Sequence, residues 1–170
     1  EIIKCDWSSD VCSSDLLAAA GEDLENIGGR IEAQQQLVLS AGRDITVAST
    51  TGATTSAQGS RTYVDRLATL HVSGGLLAVE AGRDLRLDAN EIINTSPTAA
   101  GPAGETALIA GRNLSLGTVT ESSQQDIVWN ARNYRREGQS TEVGTTVSAT
   151  GNLRLQAGQD LFHIIDQKNT

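Results

Sequence analysis

The chain has 170 residues, enough for one domain or one stretch of a longer repeat array. Its apolar fraction of 38% is mostly Ala, Leu, Ile and Val, and aromatics make up only 3%, which excludes a globular core built on large aromatic fillers. A formal net charge of −8 disfavours nucleic acid and anionic membrane surfaces as partners, because phosphate binding needs concentrated Lys and Arg.

Residues 1–16 read as foreign to the rest of the chain. Asp6-Trp7-Ser8-Ser9-Asp10-Val11-Cys12-Ser13-Ser14-Asp15-Leu16 resembles the conceptual translation of a common short-read sequencing adapter, so this segment is expected to be a non-native leader. Both cysteines, Cys5 and Cys12, lie in it. The remainder offers no disulfide framework, no thiolate metal site and no Cys nucleophile. No secretory signal is visible, but the chain does not begin with Met, so that carries little weight.

From Leu17 onward a phrase recurs: Ala-Gly-x-Asp-Leu, with apolar residues alternating on both sides. It appears at Ala20–Leu24, Ala41–Ile45, Ala81–Leu85, Ala110–Leu114 and Ala157–Leu161, with Asn113 in the Asp position of the fourth copy. Leu37, Leu39, Ala41, Ile45 and Val47 fill the alternating positions of one copy; Leu77, Val79, Ala81, Leu85 and Leu87 fill those of the next. A period of two predicts strands with one buried face. Gly in the middle is expected to break each run into two short strands with a bend between them.

The central glycines are 21, 40, 29 and 47 residues apart in turn. A coil of about 20 residues, sometimes lengthened by a loop, fits these intervals, and 40 is about two such units. The expected fold is therefore all-β, a right-handed parallel β-helix whose coils complete one another's hydrogen bonds and core. About seven coils at ~4.8 Å each would make a rod roughly 30 Å long. An antiparallel sandwich would call for Asn-Gly or Asp-Gly turns, and neither dipeptide occurs.

Three stretches depart from the pattern. Ser49–Ser60 is expected to be a polar loop or a weak outer strand. Asn94–Glu105 holds both prolines, Pro97 and Pro102, and is expected to be a loop. Glu121–Val143, with Trp129 and Tyr134, is expected to leave the regular stack as a long loop or arm.

The motifs between the phrases carry a resemblance. Leu24-Glu25-Asn26-Ile27-Gly28-Gly29-Arg30-Ile31-Glu32-Ala33 resembles the Leu-x-Asn-x-Gly-Gly-x-Ile-x-Ala unit of filamentous haemagglutinin repeats. Ser49-Thr50-Thr51, Gln58–Thr62, Val64-Asp65-Arg66, Leu108–Leu114, Leu116–Thr120, Val128-Trp129-Asn130 and Glu142–Thr145 are similar, in order, to the second haemagglutinin-repeat region of two-partner-secreted exoproteins. The resemblance covers about Leu17 to Asp160. It implies a non-enzymatic stalk segment of a bacterial surface exoprotein, secreted to the outer-membrane exterior, as in a filamentous adhesin or a contact-dependent growth-inhibition toxin. It also implies as partners the neighbouring coils, a target-cell receptor or glycan, and an outer-membrane transporter engaged through a domain absent here. No cofactor is implied.

Candidate chemistry is thin. Asp44, Asp84 and Asp160 could be a row of catalytic or calcium-binding carboxylates, but Asn113 cannot act as a general base in the same position. These residues are expected to be turn residues whose side chains accept backbone N–H bonds. Arg43, Arg83 and Arg112 precede that position, while Glu22 and Gln159 interrupt the stripe, so solvated arginines paired with nearby acids are expected. The order is always Gly-Arg-Asp or Gly-Arg-Asn, never the adhesive Arg-Gly-Asp. His71 and His163 lie in strand-like runs without a second ligand at metal spacing. One cluster invites a partner-binding reading: Trp129, Arg132, Tyr134, Arg135 and Arg136, where aromatics and guanidinium groups could stack on a sugar or a protein. The alternative is that Trp129 packs on the rod and the arginines stay solvated.

Overall fold

The structure, a computed structural model, describes residues 15–95, 104–130 and 132–163. Most of the expected leader and of the proline-bearing connection falls outside these residues. Asp15 and Leu16, however, open the first strand, paired with Gln36 and Leu37. The fold is all-β, and most of its strands are parallel.

The chain visits three sheets in a fixed order. The first pass lays down β1 (Asp15–Ala20), β2 (Leu24–Ile27) and β3 (Arg30–Ala33). The second begins with β4 (Gln36–Ala41) and β5 (Ile45–Ala48), makes a hairpin of β6 (Thr50–Ser56) and β7 (Gly59–Arg66), and ends with β8 (Thr69–Val72). The third is β9 (Leu76–Ala81), β10 (Leu85–Asp88) and β11 (Glu91–Asn94). The fourth is β12 (Glu105–Ala110), β13 (Leu114–Asn130), β14 (Asn133–Gly144) and β15 (Thr146–Ala149); β16 (Asn152–Ala157) and β17 (Leu161–His163) open a fifth.

Each strand pairs with its equivalents one pass before and after. One sheet runs β1-β4-β9-β12-β16, and another runs β3-β8-β11-β15. The sheet between them takes β2, β5, β10, the first part of β13, and β17.

Register aligns the apolar positions into columns. Leu39, Val79 and Leu108 lie in successive registers, as do Ile45, Leu85 and Leu114, and none exceeds 1% exposure. Each buried Leu or Ile of this kind contributes roughly 1.5–3 kcal/mol. The same columns reach the fifth pass at Leu155 and Leu161, which stand exposed there.

The glycine of the phrase has a steric reason. A Cβ on Gly42 would lie 2.2 Å from the Gly21 carbonyl oxygen, one on Gly82 2.2 Å from that of Gly42, and ones on Gly111 and Gly158 2.1 Å from the oxygens below them. These glycines thus form one continuous column, one per pass. The expectation that the 40-residue interval holds two coils is therefore wrong: Gly42 and Gly82 are in direct contact, and the extra residues are the β6–β7 hairpin. The longest interval is lengthened in the same way by β13–β14. The described residues accordingly make four full passes and the start of a fifth, not seven coils.

Candidate partner-binding surface

Both hairpins leave the stack at the same corner, between the second and third sheets. They emerge two passes apart and meet. β6 and β7 are antiparallel, β13 and β14 are antiparallel, and β7 pairs with β13 from Thr62–Ser122 to Gly59–Gln125. The result is a side sheet in the order β6-β7-β13-β14. A hairpin is two strands wide, and two passes rise by two strand spacings, so hairpins on alternate passes tile one sheet without a gap.

The third pass turns this corner tightly beneath them. Ala89 is buried with φ 47°, a left-handed conformation uncommon outside Gly. Ser49 Oγ donates to the Ala89 carbonyl at 2.5 Å and accepts from the Ala68 amide at 2.9 Å. Thr145 Oγ1 donates to the Leu87 carbonyl at 2.7 Å, and Asn90 donates to the Val47 carbonyl at 2.9 Å. These bonds tie the roots of both hairpins to the stack.

The side sheet is wet on both faces, which is why its strands show no apolar alternation. On β7, Tyr63 lies over Gly52, where an added Cβ would meet the ring at 2.7 Å, and Arg61 stacks on Tyr63 at 5.7 Å. Gly59 lets β13 approach: a Cβ there would lie 2.0 Å from the Gln124 carbonyl. Where β7 and β13 diverge towards their separate passes, the Glu121 carboxylate fills in, accepting from the Val64 amide at 2.9 Å. A shallow groove of about 180 Å³ beside it is lined by Arg61, Ser123, Gln139 and Thr141.

The expected cluster lies at the far end of β13–β14 and is divided by the strand pleat. Tyr134 pairs across from Val128 and Arg136 from Asp126, so these four share one face. Arg136 sits over the Tyr134 ring at 5.4 Å and pairs with Asp126 at 3.2 Å. Arg135 lies on the other face, opposite Ile127, and pairs with Glu137 at 2.7 Å. Trp129 occupies the register shift between Val128 and Asn130, and Arg132 lies in the turn, its amide donating to Asn130 Oδ1 at 3.0 Å. Trp129 is 64% exposed and Tyr134 60%, so neither packs on the stack. Of the alternative expectation, the packing of Trp129 on the rod does not hold, because the hairpin carries it away from the stack, whereas Arg135 and Arg136 are solvated as it had them.

Nearer the root, Glu142 accepts from Thr118 Oγ1 at 2.8 Å and from Thr120 Oγ1 at 2.5 Å. The Thr120 and Thr118 hydroxyls hold its carboxyl below the usual range.

Three acids of the repeated phrase are engaged through their side chains, while Asp160, on the fifth pass, is tied through its backbone carbonyl, which accepts from the Leu114 amide at 2.9 Å. Asp23 receives Arg43 and the Asp44 amide; Asp44 receives Arg83 and the Asp84 amide; Asp84 receives Arg112 and the Asn113 amide. The partner Arg, ahead of the backbone donor, holds Asp23 and Asp84 below the ordinary carboxylate pKa. A carboxylate saturated in this way is poorly placed as a general base. His71 Nδ1 lies 2.9 Å from Glu32 Oε1. Among the described residues, no group of three His, Cys, Asp or Glu could hold a metal ion. Of the two expectations for Ser49–Ser60, the weak outer strand holds, as β6; what the sequence did not signal is that it folds back as the β6–β7 hairpin and pairs with the arm, since the Thr-rich run over Thr50–Ser56 carries β-propensity without periodicity.

Comparison with protein-family models, with curated proteins and with solved structures returns no match.

Proposed function

We propose that residues 17–170 are a segment of right-handed parallel β-helix serving as a non-enzymatic stalk of a large secreted bacterial exoprotein. The resemblance to filamentous haemagglutinin repeats names the class: an adhesin or contact-dependent toxin carried outward by its rod. The observation that carries the reading is the glycine column, in which each Ala-Gly-x-Asp phrase seats directly on the one before it. Such a column makes the repeat a device for adding length, since every pass presents the same seat to the next. The carboxylates of Asp23, Asp44 and Asp84 each hold an Arg and a backbone amide of the next pass, which favours a structural role for them.

The experiment is the complete reading frame around this segment. The stalk reading expects further Ala-Gly-x-Asp passes, with a secretion domain upstream. Flanking globular catalytic domains with no further passes would overturn it.

A second reading, a direct adhesive module, draws on one specific feature. Val128, Trp129 and Tyr134 stand exposed together at the tip of a projecting hairpin. Aromatic residues with nearby arginines suit a glycan or protein surface. Trp129→Ala combined with Arg135→Ala would then abolish cell or glycan binding by the intact protein; unchanged binding would remove this reading.

A further inference from the structure

β14 is twelve residues long, and no strand of the described residues pairs with its outer edge. An open edge of this length is a template for another strand. Charged residues usually blunt such an edge against chance partners, and β14 carries Arg135, Arg136, Glu137 and Glu142. Their order, however, is self-complementary. When β14 is set antiparallel to a second copy of itself about Gln139, Arg136 of each copy faces Glu142 of the other. In that register no two like charges stand directly opposite. Two-fold registers centred on Arg136, Glu137 or Glu142 each put like charges together.

The same register accounts for the exposed apolar groups. β17 pairs with Leu114–Leu116 on the side of β13 that β14 occupies from Thr118 onward. A partner strand laid along β14 therefore runs on past Gly144 towards β17. It brings the tip bearing Trp129 beside Phe162, which is 52% exposed at the outward position in register with Ser115.

We propose that this chain forms a two-fold dimer by antiparallel pairing of β14 with β14 of a second copy, in the register centred on Gln139. The inference rests on the hairpin's sequence and pairing and is made of this 170-residue segment, since in a longer rod a hairpin two passes on would tile onto the same edge of β14. The side sheet becomes eight strands wide, with the two stacks on opposite sides of it. The charge pattern acts as a filter: it admits its own copy and repels strands of other patterns.

The test uses the full chain with Cys5→Ser and Cys12→Ser, followed by sedimentation velocity. The expected species is a dimer. Adding Gln139→Cys should yield a disulfide-linked dimer on mild oxidation, since that position meets itself. Arg136→Glu and Glu142→Arg should each weaken the homodimer by on the order of tenfold or more. An equimolar mixture of the two variants should restore association, which a folding defect would not allow. A chain that stays monomeric overturns the proposal. So does a dimer that is indifferent to both charge variants but lost in Leu153→Asp or Leu155→Asp, because that dimer joins through the open fifth pass instead.

Discussion

Arg83 reaches back one pass to grip Asp44: Nη2 lies 2.9 Å from Oδ2 and Nε 3.2 Å from Oδ1. The same carboxylate accepts the amide of Asp84 at 3.1 Å. The relation repeats as Asp23 with Arg43 and as Asp84 with Arg112. It also explains the exceptions. Asn113 has no carboxylate to offer, and the residue at the Arg position one pass later is Gln159, whose backbone N–H still donates to the Arg112 carbonyl at 2.8 Å. The Arg within each phrase thus answers the acid of the previous copy.

Asp84→Asn should therefore be tolerated better than Asp84→Ala. The amide of Asn keeps an acceptor for the Asn113 N–H, whereas Ala removes it. The exposed ion pair adds little by itself. Urea midpoints of the two variants would check this; equal losses would show that the backbone bond carries no weight.

Gly82→Ala should destabilise by about 3 kcal/mol or more, because its Cβ would strike a backbone oxygen that cannot rotate away. Gly21→Ala, at the same place in the phrase, has nothing within 4 Å among the described residues and should change stability by less than about 0.5 kcal/mol. Denaturant melts of the two variants side by side provide the check.

Much of this was legible in the sequence. Period-two alternation around Leu37–Val47 and Leu77–Leu87 gave the strands and their inward faces, because burial on one face imposes that pattern. Asn113 in the Asp position pointed to side chains that accept backbone N–H bonds, and Asp44 and Asp84 do accept the amides of Asp84 and Asn113. The pass count was not legible. Gly42 and Gly82 are 40 residues apart, and spacing alone cannot distinguish two plain passes from one pass with a hairpin. The β6–β7 hairpin left no apolar trace because both its faces meet solvent, and its turn uses Ala57-Gln58 rather than the Asn-Gly or Asp-Gly pairs that mark most tight turns. The Trp129–Arg136 cluster was found as a sequence neighbourhood, but the pleat places Arg135 and Arg136 on opposite faces.

Leu87→Ala should cost about 2–5 kcal/mol, since Leu87 is fully buried in the middle of the stack. Leu155→Ala removes the same atoms from the same kind of inward position but should cost well under half as much, because Leu155 is already 38% exposed on the fifth pass. Thermal melts of both variants would show the ordering; equal losses would mean that the fifth pass is covered in solution.

Acid should loosen the ties between passes. Asp23 and Asp84 are depressed mainly by their Arg partners, and Glu32 by His71 and then Arg30. A carboxylate with a lowered folded pKa contributes stability above its unfolded value, and that contribution is lost as pH falls through the folded value. The urea midpoint should hold from neutral pH down to the carboxylate range and then fall below about pH 4. Asp84→Asn should flatten that acid limb, and a limb of unchanged slope would remove Asp84 from the account.

The central claim is that each Ala-Gly-x-Asp phrase is one pass and that consecutive passes are adjacent in space. Ser40 and Glu80 pair directly across β4 and β9, on the outward face. Neighbouring strands bring their Cα atoms to about 4.8 Å, within disulfide reach. In a chain carrying Cys5→Ser and Cys12→Ser, the pair Ser40→Cys and Glu80→Cys should oxidise to an intramolecular disulfide without loss of far-UV β signal. Failure of that bridge, with Ser40→Cys instead bridging to Ser60→Cys, would place a separate coil between the two phrases and contradict the account.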